Sequence, residues 1–158
     1  MTRLKYLVRL NYGEALSGEE REDGDIEVFG SNGVVGLHNK SNTTSPAVFV
    51  GRKGSFGKVV WSDNPGFCID TAYFADHRSC HGDLRFAYYA LQTLKLDDVS
   101  RDTGVPGLSR EDAHNRLLEI PEVAVQVAIA TYLDRETARI DGLIEKKARF
   151  IALLKEKR

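Results

Sequence analysis

The sequence feature that constrains the fold most is a long amphipathic segment at the C-terminal end of the chain. It runs from about Glu122 to Lys157, and the one glycine within it is Gly142. Apolar side chains recur on one face at the spacing of an α-helix. They are Ile129, Leu133, Ile140, Ile144, Ala148, Ile151 and Leu154, and Leu143 and Phe150 widen the stripe. At 1.5 Å per residue, such a helix is roughly 50 Å long.

A helix of this length extends beyond the surface that the remainder of the chain can cover. We therefore expect its apolar face to pack against a second helix, most simply that of another copy, as an antiparallel coiled coil. The residues expected in this dimer interface are Ile129, Leu133, Ile140, Leu143, Ile144, Ile151 and Leu154. Gly142 weakens the helix by up to about 1 kcal/mol but would let a partner approach closely. The alternative is a helix folded back on its own domain.

The chain before this helix is rich in glycine, asparagine and short β-branched runs. Apolar or alternating segments between turn residues predict strands over residues 6–10, 26–29, 47–50, 58–61 and 67–74, forming a sheet or open barrel. Helical spacing predicts a helix over residues 83–96, capped by Asp83 and packed on the sheet, and a shorter helix after Ser109. The predicted fold is therefore α+β. A β-rich domain with packed short helices occupies residues 1–118, and the spacer and dimerisation helix occupies residues 119–158.

Composition and targeting signals narrow the class of protein. With 42% hydrophobic and 28% charged residues, the chain is globular. No apolar run approaches the roughly 20 residues that span a bilayer, and the first residues are too polar for a signal peptide. Cys68 and Cys80 fit reduced thiols better than a disulfide framework. These features predict a cytoplasmic protein with no membrane partner.

The charges are distributed unevenly, although the net charge is only −1. Seven acidic residues lie between positions 14 and 27, whereas residues 28–62 contain none and carry Lys40, Arg52, Lys53 and Lys58. Such an acid-free basic stretch suits a phosphate backbone, because a nearby carboxylate would repel it. Chance clustering on a solvated surface gives the same pattern.

Three polar segments of this stretch are candidate contacts to nucleic acid. Ser31 and Asn32 are predicted at the tip of a hairpin, where their polar groups are free for bases or phosphates. Residues 51–58 combine glycines, which let backbone N–H groups approach an anion, with basic side chains. The polar loop 38–45 carries asparagine and lysine, which match adenine and guanine edges. Each segment is also compatible with an ordinary turn or solvated loop.

No catalytic or cofactor-binding arrangement emerges from the residues. The loop 51–58 is not a nucleotide-binding P-loop, because five residues separate Gly51 from Gly57 and Val59 follows Lys58. Zinc is not indicated, because no common zinc motif has the spacing of Cys68, His77, Cys80 and His81. Residues 63–67 are similar to the catalytic tetrapeptide of DNA adenine methyltransferases, but Gly66 replaces its second proline. We therefore predict a chain that is not an enzyme.

Eight short motifs occur in one order along the chain. They are VFGSNGVVG (28–36), GRKGSFGKV (51–59), IDTAY (69–73), VPGLSR (105–110), IP (120–121), IATYLD (129–134), IDGLI (140–144) and LLKEKR (153–158). Each motif is common by itself, but the ordered set is specific. Over nearly its whole length the chain resembles the specificity (S) subunit of Type I restriction-modification enzymes.

This resemblance implies a target recognition domain that reads half of a split site in double-stranded DNA. It also implies a helix that spaces the two halves and docks methyltransferase subunits, with restriction and motor subunits joining them. S-adenosylmethionine, ATP and Mg are used by those partners, so no cofactor is expected in this chain. Arg52, Lys53 and Lys58 are expected mainly on phosphates, and the loop at residues 38–42 on bases. The full DNA-facing set is Ser31, Asn32, His38, Asn39, Lys40, Asn42, Arg52, Lys53, Ser55, Lys58 and Arg110.

The chain departs from the family pattern in two ways. The family usually carries two recognition domains and two helices, whereas this chain has one of each, as a natural half-subunit, a truncated gene product or a fragment would. As a half-subunit we expect it to form a homodimer that reads two inverted copies of one half-site. The family also usually has Glu-Gln entering the long helix, whereas Val125 precedes Gln126 here. This change bears on the cap of the helix or on docking of the methyltransferase subunit. The competing hypothesis is a protein-interaction module that binds no DNA and dimerises through its helical arm.

Overall fold

The computed structural model describes residues 1–98 and 107–156. Its strands are β1 (Thr2–Arg3), β2 (Asn11–Tyr12), β3 (Ile26–Gly30), β4 (Gly33–His38), β5 (Ala47–Gly51), β6 (Val59–Ser62), β7 (Phe67–Cys68), β8 (Ala72–Asp76) and β9 (Leu117–Leu118). Its α-helices are α1 (Leu84–Thr93), α2 (Arg110–Asn115) and α3 (Val123–Glu156), and 3₁₀ turns form at Leu4–Tyr6 and Leu96–Asp98. Sheets followed by a long C-terminal helix confirm the predicted α+β class.

Two sheets form the body of the domain. The larger has the order β2-β8-β5-β6, and its neighbouring strands are antiparallel. The smaller has the order β4-β3-β7, in which β3 is antiparallel to β4 and parallel to β7. Strands β5 and β8 are buried at every position, as expected for the two central strands of the larger sheet. A short antiparallel pair, β1 with β9, joins the start of the chain to the segment before α3.

The larger sheet lies between the helices and the smaller sheet. Alternate side chains of a strand face opposite sides, and β5 accordingly contributes to two hydrophobic clusters. Val48 and Val50 pack in the cluster that contains the buried side of α1. Phe49 belongs to the other cluster, where its ring stacks on that of Phe29 from β3 with 3.8 Å between centroids.

The two short helices begin at the predicted caps. The Asp83 carboxylate accepts a hydrogen bond from the Phe86 backbone N–H at 2.7 Å. The Ser109 hydroxyl accepts one from the Asp112 N–H at 3.4 Å. Helix α1 packs on β5, β6 and α3, but it ends at Thr93 instead of residue 96. Lys95 has a left-handed φ of 46°, a conformation that terminates helices.

Two predicted strands differ from the structure. The strand predicted at residues 6–10 is wrong, because the Leu7 and Val8 N–H groups both donate to the Leu4 carbonyl and turn the chain. Leu4, Leu7 and Val8 are all buried, so their spacing is that of a helical turn rather than of a strand. The strand predicted at residues 67–74 is divided between β7 and β8, which belong to different sheets. A turn closed by the Ala72 N–H and the Ile69 carbonyl at 3.0 Å separates them.

Helix α3 is attached to its own domain near its beginning. Gln126 and Ala130 are buried, with 2% and 4% of their surfaces exposed. The Gln126 side chain accepts a hydrogen bond from the Asp83 N–H at 2.9 Å and donates one to the Pro121 carbonyl at 2.7 Å. Two turns later, Asp134 pairs with Arg85 of α1 at 2.6 Å.

Beyond this joint the apolar stripe of α3 is exposed. Ile140, Ile144 and Phe150 are 52%, 60% and 62% exposed, whereas Leu133 is half-buried. The helix is therefore not folded back along its own domain over its described length. Its predicted last residue, Lys157, lies outside the described residues, as do Arg158 and the Val105–Pro106 part of VPGLSR. No helix in residues 1–98 or 107–156 is long and apolar enough to cross a membrane.

Candidate nucleic-acid interface

The chain segments around the Gly51 end of β5 enclose a cleft with a volume of about 750 Å³. Tyr12 enters it from β2 and Tyr73 from β8, while Arg52 and Lys53 follow β5 directly. The fourth wall is formed by residues 107–112, which lead into α2. The Leu108 N–H donates to the Arg52 carbonyl at 2.7 Å, so this wall is fixed to the end of β5.

Two guanidinium groups lie on one aromatic ring in this cleft. The guanidinium carbons of Arg52 and Arg110 are 4.9 Å and 4.5 Å from the centroid of the Tyr12 ring. The Arg52 Nη1 also donates to the Asp70 backbone carbonyl at 3.1 Å. Within residues 1–98 and 107–156, neither arginine forms a salt bridge with a carboxylate. Cation–π contacts and a carbonyl orient a guanidinium without cancelling its charge, so the pair can receive an anion.

Tyr73 holds the Tyr12 ring in place. Its ring packs edge-on against Tyr12 with 5.2 Å between centroids, and its hydroxyl donates to the Leu108 carbonyl at 2.9 Å. Burial raises the pKa of Tyr73, so it remains a neutral donor at physiological pH. Tyr12 thereby has a fixed position in contact with both arginines.

Acidic groups offset much of the positive charge at the cleft. Lys53 Nζ is 3.8 Å from an Asp70 carboxylate oxygen, and both side chains are about half exposed. An exposed pair of this kind contributes at most about 1 kcal/mol and is easily exchanged for another anion. Glu111 and Asp112 also line the cleft, in the first turn of α2.

The tip of the β3–β4 hairpin (residues 31–32) and the basic loop (residues 51–58) meet beside the cleft. Lys58 Nζ donates to the Asn32 backbone carbonyl at 2.8 Å and to its side-chain oxygen at 2.9 Å. Gly51 is required at this meeting point, because a Cβ there would be 2.5 Å from the Ser31 carbonyl. In the described part of the chain the Asn32 amide nitrogen forms no hydrogen bond, and Ser55 is exposed nearby in the same loop. Ser31, Asn32, Ser55 and Lys58 therefore form one surface continuous with Arg52.

The polar loop after β4 lies at the opposite end of that strand. The six residues of β4 (Gly33–His38) place its two ends about 17 Å apart at roughly 3.3 Å per step. His38 is 5% exposed, and its Nδ1 accepts a hydrogen bond from the Glu22 N–H at 3.1 Å. The Asn42 side chain bonds both the N–H and the carbonyl of Cys68, at 2.7 Å and 3.0 Å. His38 and Asn42 thus hold the loop in shape, whereas Asn39 and Lys40 are exposed.

The acidic segment (residues 14–27) packs against the polar loop after β4 rather than against the cleft. Arg21 donates to the Val35 carbonyl at 2.8 Å, which fixes the segment on β4. The Glu22 carboxylate accepts a hydrogen bond from Asn39, and that of Glu14 accepts one from Asn42. The carboxylates therefore lower the affinity of this loop for phosphate.

The structure divides the eleven predicted DNA-facing residues into two groups. Seven lie at the cleft and the adjoining tip: Ser31, Asn32, Arg52, Lys53, Ser55, Lys58 and Arg110. The other four, His38, Asn39, Lys40 and Asn42, belong to the distant loop. Sequence reasoning missed Tyr12, which no motif marks, because its two cationic neighbours come from distant parts of the chain.

Comparison with known proteins places this architecture in a family. The family model for the Type I restriction modification DNA specificity domain matches residues 1–149. The S subunit of a Type I restriction-modification system from M. genitalium is 27% identical, with a TM-score of 0.72 over 90% of this chain and 40% of that chain. The HsdS subunit from Thermoanaerobacter tengcongensis is 15% identical, with a TM-score of 0.64 over 90% and 38%.

A third solved structure concerns complex assembly and conformational transition of the type I R-M system. It is 15% identical, with a TM-score of 0.76 over 98% of this chain and 42% of that chain. No curated protein sequence matches the chain.

The chain belongs to the family of Type I restriction modification DNA specificity domains, because the family model covers most of its length. The resemblance inferred from the ordered motifs is therefore confirmed, and so is the prediction of a non-catalytic module for DNA target recognition. The chain spans about 40% of the length of the solved chains that it matches.

Proposed function

We propose that this chain reads one half-site of double-stranded DNA through the cleft and the adjoining hairpin tip. The observation that supports this most directly is the pair of arginines, Arg52 and Arg110, held on Tyr12 without a carboxylate partner in the described residues. Both guanidinium carbons lie within 4.9 Å of the Tyr12 centroid, so an anion that bridges the two groups offsets their mutual repulsion. A DNA backbone supplies such anions at regular spacing.

We assign different roles to the residues of this surface. Arg52, Arg110 and Lys53 hold phosphates, because their cationic groups line the cleft. Lys58 holds the hairpin tip in place through Asn32 and contributes charge. Ser31, Asn32 and Ser55 present polar groups that can reach base edges.

The distant loop forms a second contact in this proposal. Its exposed members, Asn39 and Lys40, are the candidates for base contacts. His38 and Asn42 act by fixing the loop, because their polar atoms are already used inside the fold.

The exposed stripe of α3 is the proposed dimer interface. Residues 1–118 form the recognition domain and residues 119–158 the spacer helix, and two such helices pack antiparallel. The interface uses Ile129, Leu133, Ile140, Leu143, Ile144, Ile151 and Leu154. A two-fold dimer presents two clefts in inverted orientation and so reads two inverted half-sites. The same helices dock the methyltransferase subunits and, with them, the restriction and motor subunits, in the cytoplasm.

The DNA proposal is tested by the salt dependence of binding. The full chain is titrated onto a mixed-sequence duplex between 50 and 200 mM salt, alone and with the methyltransferase subunit. We expect the double variant Arg52→Ala/Arg110→Ala to lower the slope of log affinity against log salt by about 1.8 per bound protomer, because each protomer loses two phosphate contacts.

A matched control removes two arginines elsewhere. Arg139→Ala/Arg149→Ala changes the net charge equally on α3, where both side chains pair with glutamates. An equal change of slope in both variants would show that only net charge matters. A wild-type chain that dimerises but binds no duplex under either condition would favour the protein-interaction module instead.

The dimer proposal is tested by the mass in solution. Light scattering should give a dimer for the wild type and a monomer for Ile140→Asp/Ile144→Asp, because a buried carboxylate opposes helix pairing. Ala138→Asp adds a charge on a different face of α3 and should leave the dimer intact. A wild-type chain that stays monomeric at high concentration contradicts the proposal.

A further inference from the structure

The first residues of the chain form a second acid-free basic segment. Residues 1–13 contain no Asp or Glu but carry Arg3, Lys5 and Arg9. Arg3 and Arg9 are exposed, and Lys5 is half-exposed. Within residues 1–98 and 107–156, none of the three pairs with a carboxylate. Their charges therefore remain available to an external anion.

Several hydrogen bonds hold this segment along α2 and β9. Strand β1 pairs with β9, with Thr2 opposite Leu118. The Leu4 N–H donates to the Arg116 carbonyl at 2.8 Å, and the Leu10 N–H donates to His114 Nε2 at 2.9 Å. The N-terminal segment thus runs beside the helix that begins with Arg110.

The cations of the N-terminal segment and of α2 lie near the same histidine, His114. The pKa of His114 lies below its usual value, first because the ring is partly buried and then because Arg110, Arg9 and Lys5 repel a proton on it. Arg9 directly precedes Leu10, whose N–H bonds His114 of α2, and Lys5 lies in the 3₁₀ turn that packs on α2. Both cations therefore lie near the helix that begins at the cleft. Tyr12, which contacts Arg110, follows Arg9 by three positions.

We propose that Lys5 and Arg9 extend the phosphate-binding surface from the cleft across the N-terminal segment, so that the bound DNA backbone passes over both α2 and residues 5–9. This inference rests on the proposed function, because it names further contacts of the same DNA surface. It gives the backbone a direction across the domain, from Arg52 through Arg110 to Arg9 and Lys5. The hairpin tip lies at the other end of this path.

The test compares three double variants of the full chain. Lys5→Ala/Arg9→Ala is measured beside Arg52→Ala/Arg110→Ala and the control Arg139→Ala/Arg149→Ala, on a mixed-sequence duplex between 50 and 200 mM salt. Losing two phosphate contacts lowers the salt slope by about 1.8 per bound protomer, so for each protomer the ratio of affinities at 50 and 200 mM salt falls about 12-fold. Thermal melting of each variant shows whether it is folded before its binding is compared.

The possible results separate the two proposals. A lower slope for Lys5→Ala/Arg9→Ala, with no change for the control, supports the extended surface. An unchanged slope for this variant, when Arg52→Ala/Arg110→Ala lowers it, overturns the inference and leaves the proposed function standing. A wild-type chain that binds no duplex overturns both.

His114 offers a second readout that is independent of affinity. A phosphate placed on Arg110, Arg9 and Lys5 offsets their repulsion, so the pKa of His114 measured by NMR should rise when duplex is added. The assignment is made with His114→Gln, which removes the titrating signal. An unchanged His114 titration in a saturated complex would contradict the path of the backbone over residues 5–9.

Discussion

Gln126 connects the recognition domain to the long helix, and its replacement by alanine should destabilise the fold. The side chain is 2% exposed and satisfies two partly buried backbone groups, the Asp83 N–H and the Pro121 carbonyl. Asp83 is also the N-cap of α1. The side-chain amide of Gln126 therefore connects α3 with α1 and with the segment before α3.

The expected cost follows from the two groups that lose their partner. An unsatisfied buried donor or acceptor costs about 1–3 kcal/mol. Because both groups are only partly buried, water can reach them in Gln126→Ala, and the lower part of this range applies. We expect a loss of about 2 kcal/mol, which lowers the melting temperature by roughly 4–8 °C in a chain of this size.

Urea denaturation followed by circular dichroism measures this loss. Gln126→Glu keeps an acceptor for the Asp83 N–H but buries a carboxylate against the Pro121 carbonyl, so at pH 7 it should cost at least as much as Gln126→Ala. The control is Gln92→Ala in α1, an exposed glutamine whose loss should change stability by less than about 0.5 kcal/mol. Equal denaturation midpoints for Gln126→Ala and Gln92→Ala would refute the reasoning.

Two further predictions concern the pH dependence of stability. Burial opposes ionisation of Asp76, but hydrogen bonds from Arg78 and Thr44 outweigh it and hold the pKa of Asp76 below its usual value. Its contribution is therefore complete above the unfolded pKa of about 4 and is lost as the pH falls through the folded pKa. Asp76→Asn should cost about 2 kcal/mol at pH 7 and progressively less as the pH falls below about 4, and a cost that does not change with pH would contradict this. For His114, burial and nearby cations lower the pKa, so its neutral ring stabilises the fold fully above about pH 6.5 and progressively less as the pH falls below that value. In His114→Gln the urea midpoint should change less between pH 7.5 and 5 than in the wild type, and an unchanged pH dependence would count against the assignment.

Features that depend on a few neighbouring residues could be predicted from the sequence. The caps Asp83 and Ser109 are examples, because a cap bonds an N–H only three positions away. The exposed stripe of α3 is another, since helical periodicity fixes which side chains share a face. The 3₁₀ turn at Leu4–Tyr6 was missed because a short apolar run fits a strand and a helical turn equally well.

Features that depend on distant residues could not be predicted. Nothing in the sequence around Tyr12 indicates that it contacts Arg52 and Arg110, because these contacts form when β2, β5 and α2 meet in space. Likewise, the polar composition of the loop after β4 does not reveal that His38 is buried under Glu22. Sequence identified many of the polar residues, but only the fold separates those that face solvent from those that hold a loop.

The contacts that attach the start of α3 to its domain determine the direction of the exposed apolar stripe. A single attachment would leave the helix free to pivot, whereas Gln126 and Asp134 attach it at two points about 12 Å apart. The second attachment is stiffened because Arg85 lies 4.4 Å from the Trp61 ring while it pairs with Asp134. The direction of α3 relative to the cleft is therefore fixed within each chain. If two such helices pair as proposed, the register between the helices sets the separation of the two clefts. Weakening the attachment at Gln126 or at Asp134 would therefore change the spacing between the two half-sites before it changed binding to either half-site.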